Sequence, residues 1–239
     1  MYDFSYKNAS SVDDAINTHK SSEDGAFLAG GQTLLPTLKQ RLAQPSDLID
    51  LSGIGSLSNI EVGQVVKVGA MTTHAEVATS KEIQKALPAL SDLAEGIGDP
   101  QVRNRGTIGG SVANNDPAAD YPAICLALNA TITTNKREIT ADDFFTGMFE
   151  TSLDESEMIT EISFVTPQKS SYAKFPNPAS RYAMVGVFIA KYDEEVRVAV
   201  TGASQDGVFR SKQIEDALSD NFSAEALDGI KLSSDNMLS

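Results

Sequence analysis

The chain has 239 residues, enough for one large domain or two to three small ones. Its 41% hydrophobic and 22% charged residues are typical of a globular protein, and no run of about 18 apolar residues predicts a membrane span. The net charge of −14 would repel a phosphate backbone, which argues against nucleic-acid binding. The N-terminus is polar and acidic, unlike a secretory signal or a transit peptide, so we expect a cytoplasmic protein.

Residues 1–55 predict a small α/β unit. Strand-like FSYK is followed by a helix in SSVDDAINTHK, a strand in AFLAG, a helix in LLPTLKQRLAQ and a strand in DLIDLS. Strands that alternate with helices in this way favour βαβ-type organisation.

Residues 56–167 predict a second unit of mixed α+β type. NIEVG and VVKVGAMTT read as paired strands, and HAEVATSKEI and PALSDLAEGI read as helices. The polar segment GDPQVRNRGTIGGSVANNDPAAD predicts a long loop. A helix in YPAICLALNA, a strand in ATITT and the start of a helix in ITADDFF follow it.

Residues 168–239 predict a smaller C-terminal domain. The Pro- and Ser-rich segment TPQKSSYAKFPNPAS is the best candidate for a linker. RYAMVGVFIAKY and VRVAVTGAS predict a β-hairpin, and QIEDALS and SAEALDGI predict helices.

Few residues have the chemistry of a catalytic or metal site. The single cysteine, Cys125, lies in an apolar helical pattern that predicts a buried structural thiol, and one thiol cannot hold an iron–sulfur cluster. His19 and His74 have no Cys or His neighbours at ligand spacing. We therefore expect no metal site and no catalytic nucleophile or base.

Two double-glycine segments carry most of the functional signal. The first is Ala29, Gly30, Gly31, Gln32 and Thr33, between a predicted strand and a predicted helix. Backbone N–H groups in such a turn can bind an anion, and the following helix N-terminus adds partial positive charge. A tight turn without a ligand is the alternative. The segment is neither the dinucleotide fingerprint nor a phosphate-binding P-loop.

The second segment is Thr107, Ile108, Gly109, Gly110 and Ser111, in the predicted long loop. Together the two segments could hold a pyrophosphate, while Asp120 could accept a hydrogen bond from a ribose hydroxyl. The alternative is two unrelated turns followed by a helix N-cap at Asp120.

The segments AGGQTLLPTLKQRLAQPSDLIDLS, VGAMTTHAEV and GDPQVRNRGTIGGSVANNDPAADYPA resemble the flavin-binding medium subunit of molybdenum hydroxylases. The likeness is to the carbon monoxide dehydrogenase medium subunit and to the equivalent region of xanthine dehydrogenase. It implies an α+β fold of the PCMH or vanillyl-alcohol-oxidase type, in which two subdomains clamp noncovalent FAD and a smaller C-terminal domain follows. Family members usually continue beyond SSDNMLS, so a truncated C-terminal domain is one expectation.

The resemblance also implies which residues bind the cofactor. Residues 29–33 would wrap the FAD pyrophosphate, residues 107–111 would contact it from the second subdomain, and Asp120 would bind the ribose. Ile159 would lie near the adenine or the flavin, and Lys174 near the flavin edge. His74 is not a clear site for covalent attachment of the flavin.

The implied assembly contains a large molybdopterin subunit and a small subunit with two [2Fe–2S] clusters, arranged as a dimer of heterotrimers. This chain would be the electron-transfer subunit of the oxidoreductase. Two alternatives stay open. One is a self-contained reductase that uses NAD(P)H, with Tyr182 or Ser180 as proton donor. The other is an interaction protein that kept the fold and lost the cofactor.

Overall fold

The computed structural model describes residues 1–232 and Met237. Within these residues, three sheets of three to five strands each use their own stretch of chain, and a two-stranded hairpin adds to them. The last residues of the predicted C-terminal domain, 233–236 and 238–239, lie outside the described residues.

The first sheet is parallel, and its elements are β1 (Ser5–Asn8), α1 (Val12–Ser21), β2 (Gly25–Leu28), α2 (Leu34–Lys39) and β3 (Asp47–Asp50). The strand order β1-β3-β2 is that of two βαβ units, which confirms the predicted organisation. The Ser11 side chain caps α1 by accepting a hydrogen bond from the Asp14 N–H at 3.1 Å. The second helix is shorter than predicted, because Arg41 adopts a left-handed φ of 60° just after it.

The second sheet is antiparallel, and the elements of this part of the chain are β4 (Ile60–Val62), β5 (Val65–Gly69), α3 (His74–Thr79), α4 (Lys81–Ala86), α5 (Pro88–Glu95), α6 (Pro100–Arg103), α7 (Ile108–Asn114), α8 (Tyr121–Ala127), β6 (Thr131–Thr134), β7 (Glu138–Thr140), α9 (Ala141–Phe144), β8 (Phe145–Gly147), β9 (Glu150–Thr151) and β10 (Ile159–Val165). Its strand order is β4-β5-β10-β6-β7, so the unpredicted β10 lies at the centre.

Two sequence predictions for this part were wrong. The helix predicted in HAEVATSKEI is two helices, because the extended Ser80 ends α3 and caps α4. The segment predicted as one long loop contains α6 and α7. Each begins at a side-chain cap: Asp99 accepts from the Val102 N–H at 2.9 Å, and Thr107 accepts from the Gly110 N–H at 3.2 Å.

The third sheet is antiparallel, and its part of the chain contains β11 (Lys169–Pro176), β12 (Ala183–Lys191), β13 (Val196–Thr201), β14 (Phe209–Arg210) and α10 (Lys212–Asp220). The predicted linker is instead largely β11, which pairs with β12 along most of its length, so that prediction was wrong. The predicted hairpin is confirmed by the pairing of β12 with β13. Where a final helix was predicted, a 3-10 turn spans Ala224–Leu227.

Helix α8 connects the second and third sheets. All seven of its residues are buried, including Cys125 at 0% exposure, and the helix contacts β12 and β13. Arg197 of β13 donates from Nε and Nη2 to the carbonyl of Leu126 at 3.0 and 2.8 Å, and also to Asp142. These bonds satisfy the C-terminal end of α8 and fix the sheet to it. Among the described residues, no helix has the length and apolar character needed to cross a membrane.

Candidate functional site

The first double-glycine segment lies against the backbone that leads directly into the second. A β-carbon built at Gly30 would be 2.1 Å from the carbonyl oxygen of Arg105 and 2.7 Å from the Cα of Gly106. Since no side-chain carbon can approach backbone atoms so closely, only glycine fits at position 30. The close approach at Gly30 is thus made by the protein's own backbone.

The second segment also packs on the chain that leaves β5. The N–H groups of Ile108 and Gly109 donate to the carbonyls of Thr72 and Ala70 at 3.1 and 2.9 Å. A β-carbon at Gly109 would lie 2.5 Å from the Ala70 Cβ, so glycine is needed for α7 to pack here. The Ile108 side chain is fully buried and points into the core.

Thr107 occupies the next two N–H groups of this segment. Its hydroxyl accepts from Gly110 at 3.2 Å, and its carbonyl accepts from Ser111 at 3.1 Å. The N–H donors expected from the sequence between Ile108 and Ser111 are therefore already in use. The second segment can offer a ligand the hydroxyl group of Ser111. Its two glycines have no side chains, so a ligand can also approach the backbone closely there.

The first segment differs in its hydrogen bonding. In the part of the chain that the structure describes, the N–H groups of residues 30–33 have no hydrogen-bond partner. Gly31 has a left-handed φ of 73°, and Thr33 precedes α2 without capping it through its hydroxyl. Successive free N–H groups in such a turn form an anion-binding concavity. This segment can therefore bind a phosphate group.

Both segments open into a cavity of about 680 Å³ that residues from all three sheet regions line. This volume is within the range of small-molecule and cofactor sites. Two of the residues proposed from the sequence, Ile108 and Lys174, do not line it. Those that do line it are Ala29, Gly30, Gly31, Gln32, Thr33, Thr107, Gly109, Gly110, Ser111, Asp120 and Ile159.

Asp120 is a buried carboxylate at the wall of this cavity, with 5% exposure. One of its oxygens accepts from the Tyr172 hydroxyl, and the other from Lys174 Nζ at 3.1 Å. Burial raises the Asp120 pKa, while Lys174 and Tyr172 oppose that shift. The Lys174 ammonium also donates to the carbonyl of Gly96 at 2.9 Å. Lys174 is thus a buried counter-ion of Asp120, and each Asp120 oxygen can still accept a further hydrogen bond.

Sequence reasoning missed several residues that line the cavity, among them His74, Glu157 and Arg181. No sequence motif predicts a role for Glu157, because its ion-pair partner, Arg137, is distant in the sequence. Its carboxylate accepts two hydrogen bonds from Arg137, both at 3.1 Å, and others from Thr134 and the Asp154 N–H. Burial alone would raise the Glu157 pKa, but these hydrogen bonds outweigh it and lower the pKa to about 2.

We expect Glu157→Gln to remove an acid-sensitive stabilisation. A carboxyl group whose pKa is lowered on folding stabilises the protein above its unfolded pKa of 4.5, and this stabilisation is lost as the pH falls towards 2. The substitution should lower the free energy of unfolding by about 2–3 kcal/mol at about pH 7, and by much less at about pH 3. Urea unfolding at both pH values measures this. The exposed neighbour Glu155→Gln is the control, and an equal loss at both pH values would contradict the expectation.

Among the described residues, no group of three or more His, Cys, Asp and Glu side chains is placed to hold a metal ion. The polar groups of the cavity lining are instead backbone N–H groups, hydroxyls and carboxylates, of which Asp120 and Glu157 are ion-paired. Such donors and acceptors suit a phosphorylated, hydroxyl-bearing organic molecule.

Comparison with known proteins agrees with this chemistry. The family described as "FAD binding domain in molybdopterin dehydrogenase" matches residues 2–167. The nicotine 6-hydroxylase medium subunit of Paenarthrobacter nicotinovorans is 39% identical over 83% of this chain and 74% of its own length. The carbon monoxide dehydrogenase medium chain of Hydrogenophaga pseudoflava is 34% identical over 94% of this chain and 83% of its own length.

Solved structures show the same fold. A chain of carbon monoxide dehydrogenase from Hydrogenophaga pseudoflava superimposes with a TM-score of 0.87 and 36% identity, covering 95% of this chain and 84% of that one. The molecule is thus of the mixed α+β type, with an FAD-binding fold followed by a C-terminal antiparallel sheet. This chain belongs to the FAD-binding family of molybdopterin dehydrogenases, whose members are subunits of oxidoreductase complexes.

Proposed function

We propose that this chain is the electron-transfer subunit of a cytoplasmic molybdenum hydroxylase complex. It would accept electrons from the [2Fe–2S] clusters of a partner subunit and pass them to an external acceptor. The observation that carries this proposal is that the N–H groups of residues 30–33 have no hydrogen-bond partner among the described residues, and that these residues line a cavity of cofactor size. FAD, when bound, would supply the redox chemistry that side chains lack.

The residues of the cavity fit FAD, and we assign them roles on this basis. The N–H groups of residues 30–33 bind the pyrophosphate, with the hydroxyls of Thr33 and Ser111 as further donors. Asp120 accepts a hydrogen bond from a ribose hydroxyl. Ile159, with 5% exposure, provides an apolar wall for one of the two ring systems. Lys174 holds Asp120 in place, and the binding is noncovalent.

The proposed partners are a large molybdopterin subunit and a small iron–sulfur subunit, in a dimer of heterotrimers. We propose that residues 1–55 and 56–167 are the two FAD-binding subdomains and that residues 168–239 form the C-terminal domain. In support, each of the three larger sheets falls within one of these ranges. The carbon substrate reacts on the large subunit, so this chain carries no catalytic residue for it.

The first test is retention of FAD by the purified chain. We expect the protein, mixed with FAD and desalted, to keep the visible absorption bands of oxidised flavin in equimolar amount. Reconstitution with the partner subunits is the companion measurement. A folded chain that remains colourless both alone and within the assembled complex would contradict the proposal.

A self-contained NAD(P)H-dependent reductase is the second candidate, because Ser180 and Tyr182 line the cavity and carry the hydroxyls that a proton donor needs. Burial, followed by the charges of Asp116 and Asp120, raises the pKa of Tyr182. Steady-state NADH oxidation by the flavin-loaded chain with small organic acceptors separates the two functions. We expect no turnover that depends on Tyr182, whereas loss of substantial turnover in Tyr182→Phe would favour the reductase.

A further inference from the structure

We infer that His74 is a positioning residue of the flavin site. Its uncharged imidazole supports the contact of Gly30 with Arg105 and Gly106, which we call the crossing of the two glycine segments, and protonation of the ring releases that crossing. This inference rests on the proposed FAD function and adds regulation by pH to it.

The contacts of His74 lead directly to the crossing. The residue is the first of α3, and its N–H donates to the carbonyl of Gly106 at 2.9 Å. Its ring packs on the same glycine, since a β-carbon at Gly106 would lie 2.6 Å from Nε2. Gly106 in turn contacts Gly30, where the partner-free N–H groups begin. A displacement of the His74 ring therefore moves the support of the proposed phosphate site.

The surroundings of the ring accept only its uncharged form. His74 is 5% exposed, and its Nδ1 has no hydrogen-bond partner among the described residues. A charged imidazole has two N–H donors, and one of them would be buried without an acceptor. Arg103 of α6 adds a positive charge nearby, and the Tyr121 ring of α8 lies 5.3 Å away. Glu76, on the same helix, is already bonded to Thr73.

The direction of the pH effect follows from these contacts. Burial, with a smaller contribution from Arg103, lowers the His74 pKa from 6.5 to about 4. Separation of the crossing would expose the ring to water, where it would titrate at its ordinary pKa of 6.5. Acidification below 6.5 therefore favours separation, and the effect is complete below 4. At about pH 5 the separation equilibrium should lie about 30-fold further towards the open state than at about pH 8.

The experiment measures the rate at which the flavin-loaded chain releases FAD. Flavin fluorescence is followed after dilution, at about pH 8 and about pH 5. We expect release from the wild-type protein to accelerate by about 30-fold on acidification. The variants His74→Phe and His74→Gln should lose most of this acceleration. His19→Gln is the matched control, because His19 is the only other histidine, and it should behave like the wild type.

The possible outcomes separate the role of His74 from the proposed FAD-binding function. Bound FAD with the same acid acceleration in both His74 variants would overturn the role of His74 but leave the FAD function intact. A wild-type chain that binds no FAD at about pH 8, either alone or within the assembled complex, would contradict the proposed function itself. If neither variant folds, NMR titration of the two imidazoles in the flavin-loaded wild-type protein decides, with His19→Gln giving the assignment. A His74 pKa at or above 6.5 would then overturn the inference.

Discussion

Gly30→Ala is expected to weaken FAD binding strongly. The new β-carbon would lie 2.1 Å from the Arg105 carbonyl oxygen, so the two glycine segments must separate. Backbone cannot yield as a flexible side chain does, and overpacking of this kind costs about 1–3 kcal/mol or more. Because the partner-free N–H groups begin at Gly30, a cost of about 3 kcal/mol in the bound state corresponds to about a 100-fold weaker FAD affinity. Fluorescence titration with FAD measures the change.

Alanine substitutions at two other glycines are expected to have smaller effects on FAD affinity. At Gly31 a β-carbon would meet the flexible side chain of Leu35 at 2.8 Å and would occupy a left-handed φ of 73°. The Leu35 side chain can move, whereas the backbone that a side chain at Gly30 would meet cannot. Gly31→Ala should therefore weaken binding less than Gly30→Ala, in spite of the strain of an alanine with a left-handed φ. At Gly63, in the turn between β4 and β5, nothing lies within 4 Å, and Gly63→Ala should bind FAD like the wild type. A Gly30→Ala protein with unchanged affinity would show that the crossing does not support the site.

Asp120→Ala is expected to destabilise the fold by about 3–5 kcal/mol, because it leaves the buried Lys174 ammonium without its counter-ion. The side chains of Lys174 and Asp120 are only 10% and 5% exposed, and the Gly96 carbonyl is the other hydrogen-bond partner of the Lys174 ammonium among the described residues. The substitution also leaves the Tyr172 hydroxyl without its acceptor. Urea unfolding at neutral pH measures the loss, and FAD affinity should fall in the same variant.

A second variant separates the charge from the packing. Lys174→Met in an Asp120→Asn background removes both charges and should recover at least half of the lost stability. The exposed pair of Lys212 and Asp216 is the control, with side chains 77% and 65% exposed, and Asp216→Ala should cost less than about 1 kcal/mol. Equal losses for Asp120→Ala and the double variant would show that the ion pair itself is not what stabilises this wall.

The sequence predicted the elements whose hydrophobic period or flanking turns are clear. Strands and helices alternate as expected through the first sheet, and β12 pairs with β13 as predicted. Strand β11 was missed because its serines, lysines and proline are typical of a linker, and only pairing with β12 makes it a strand. Helix α7 was missed because two glycines in its first turn argue against a helix. A cap at Thr107 and close packing on Ala70 outweigh that propensity.

Residues of the candidate site could be proposed from the sequence where a local motif exists, but not where the site depends on distant contacts. Both glycine segments and Asp120 are recognisable from spacing and residue type. Their crossing is not, since the backbone that excludes a side chain at Gly30 belongs to Arg105 and Gly106, far along the chain. Glu157 and His74 also lack a motif, and their properties follow from burial and from the partners that the fold supplies.

The crossing has a consequence for how descendants of such a protein would evolve. Gly30, Gly106 and Gly109 are required by protein packing alone, so a lineage that stopped binding the cofactor would still be selected to keep them. An intact double glycine is thus a mark of ancestry and architecture. Drift would first reach the positions that only the ligand constrains, such as the hydroxyls of Thr33 and Ser111. Genome surveys that weigh those positions would separate working flavoproteins from descendants that have lost the cofactor.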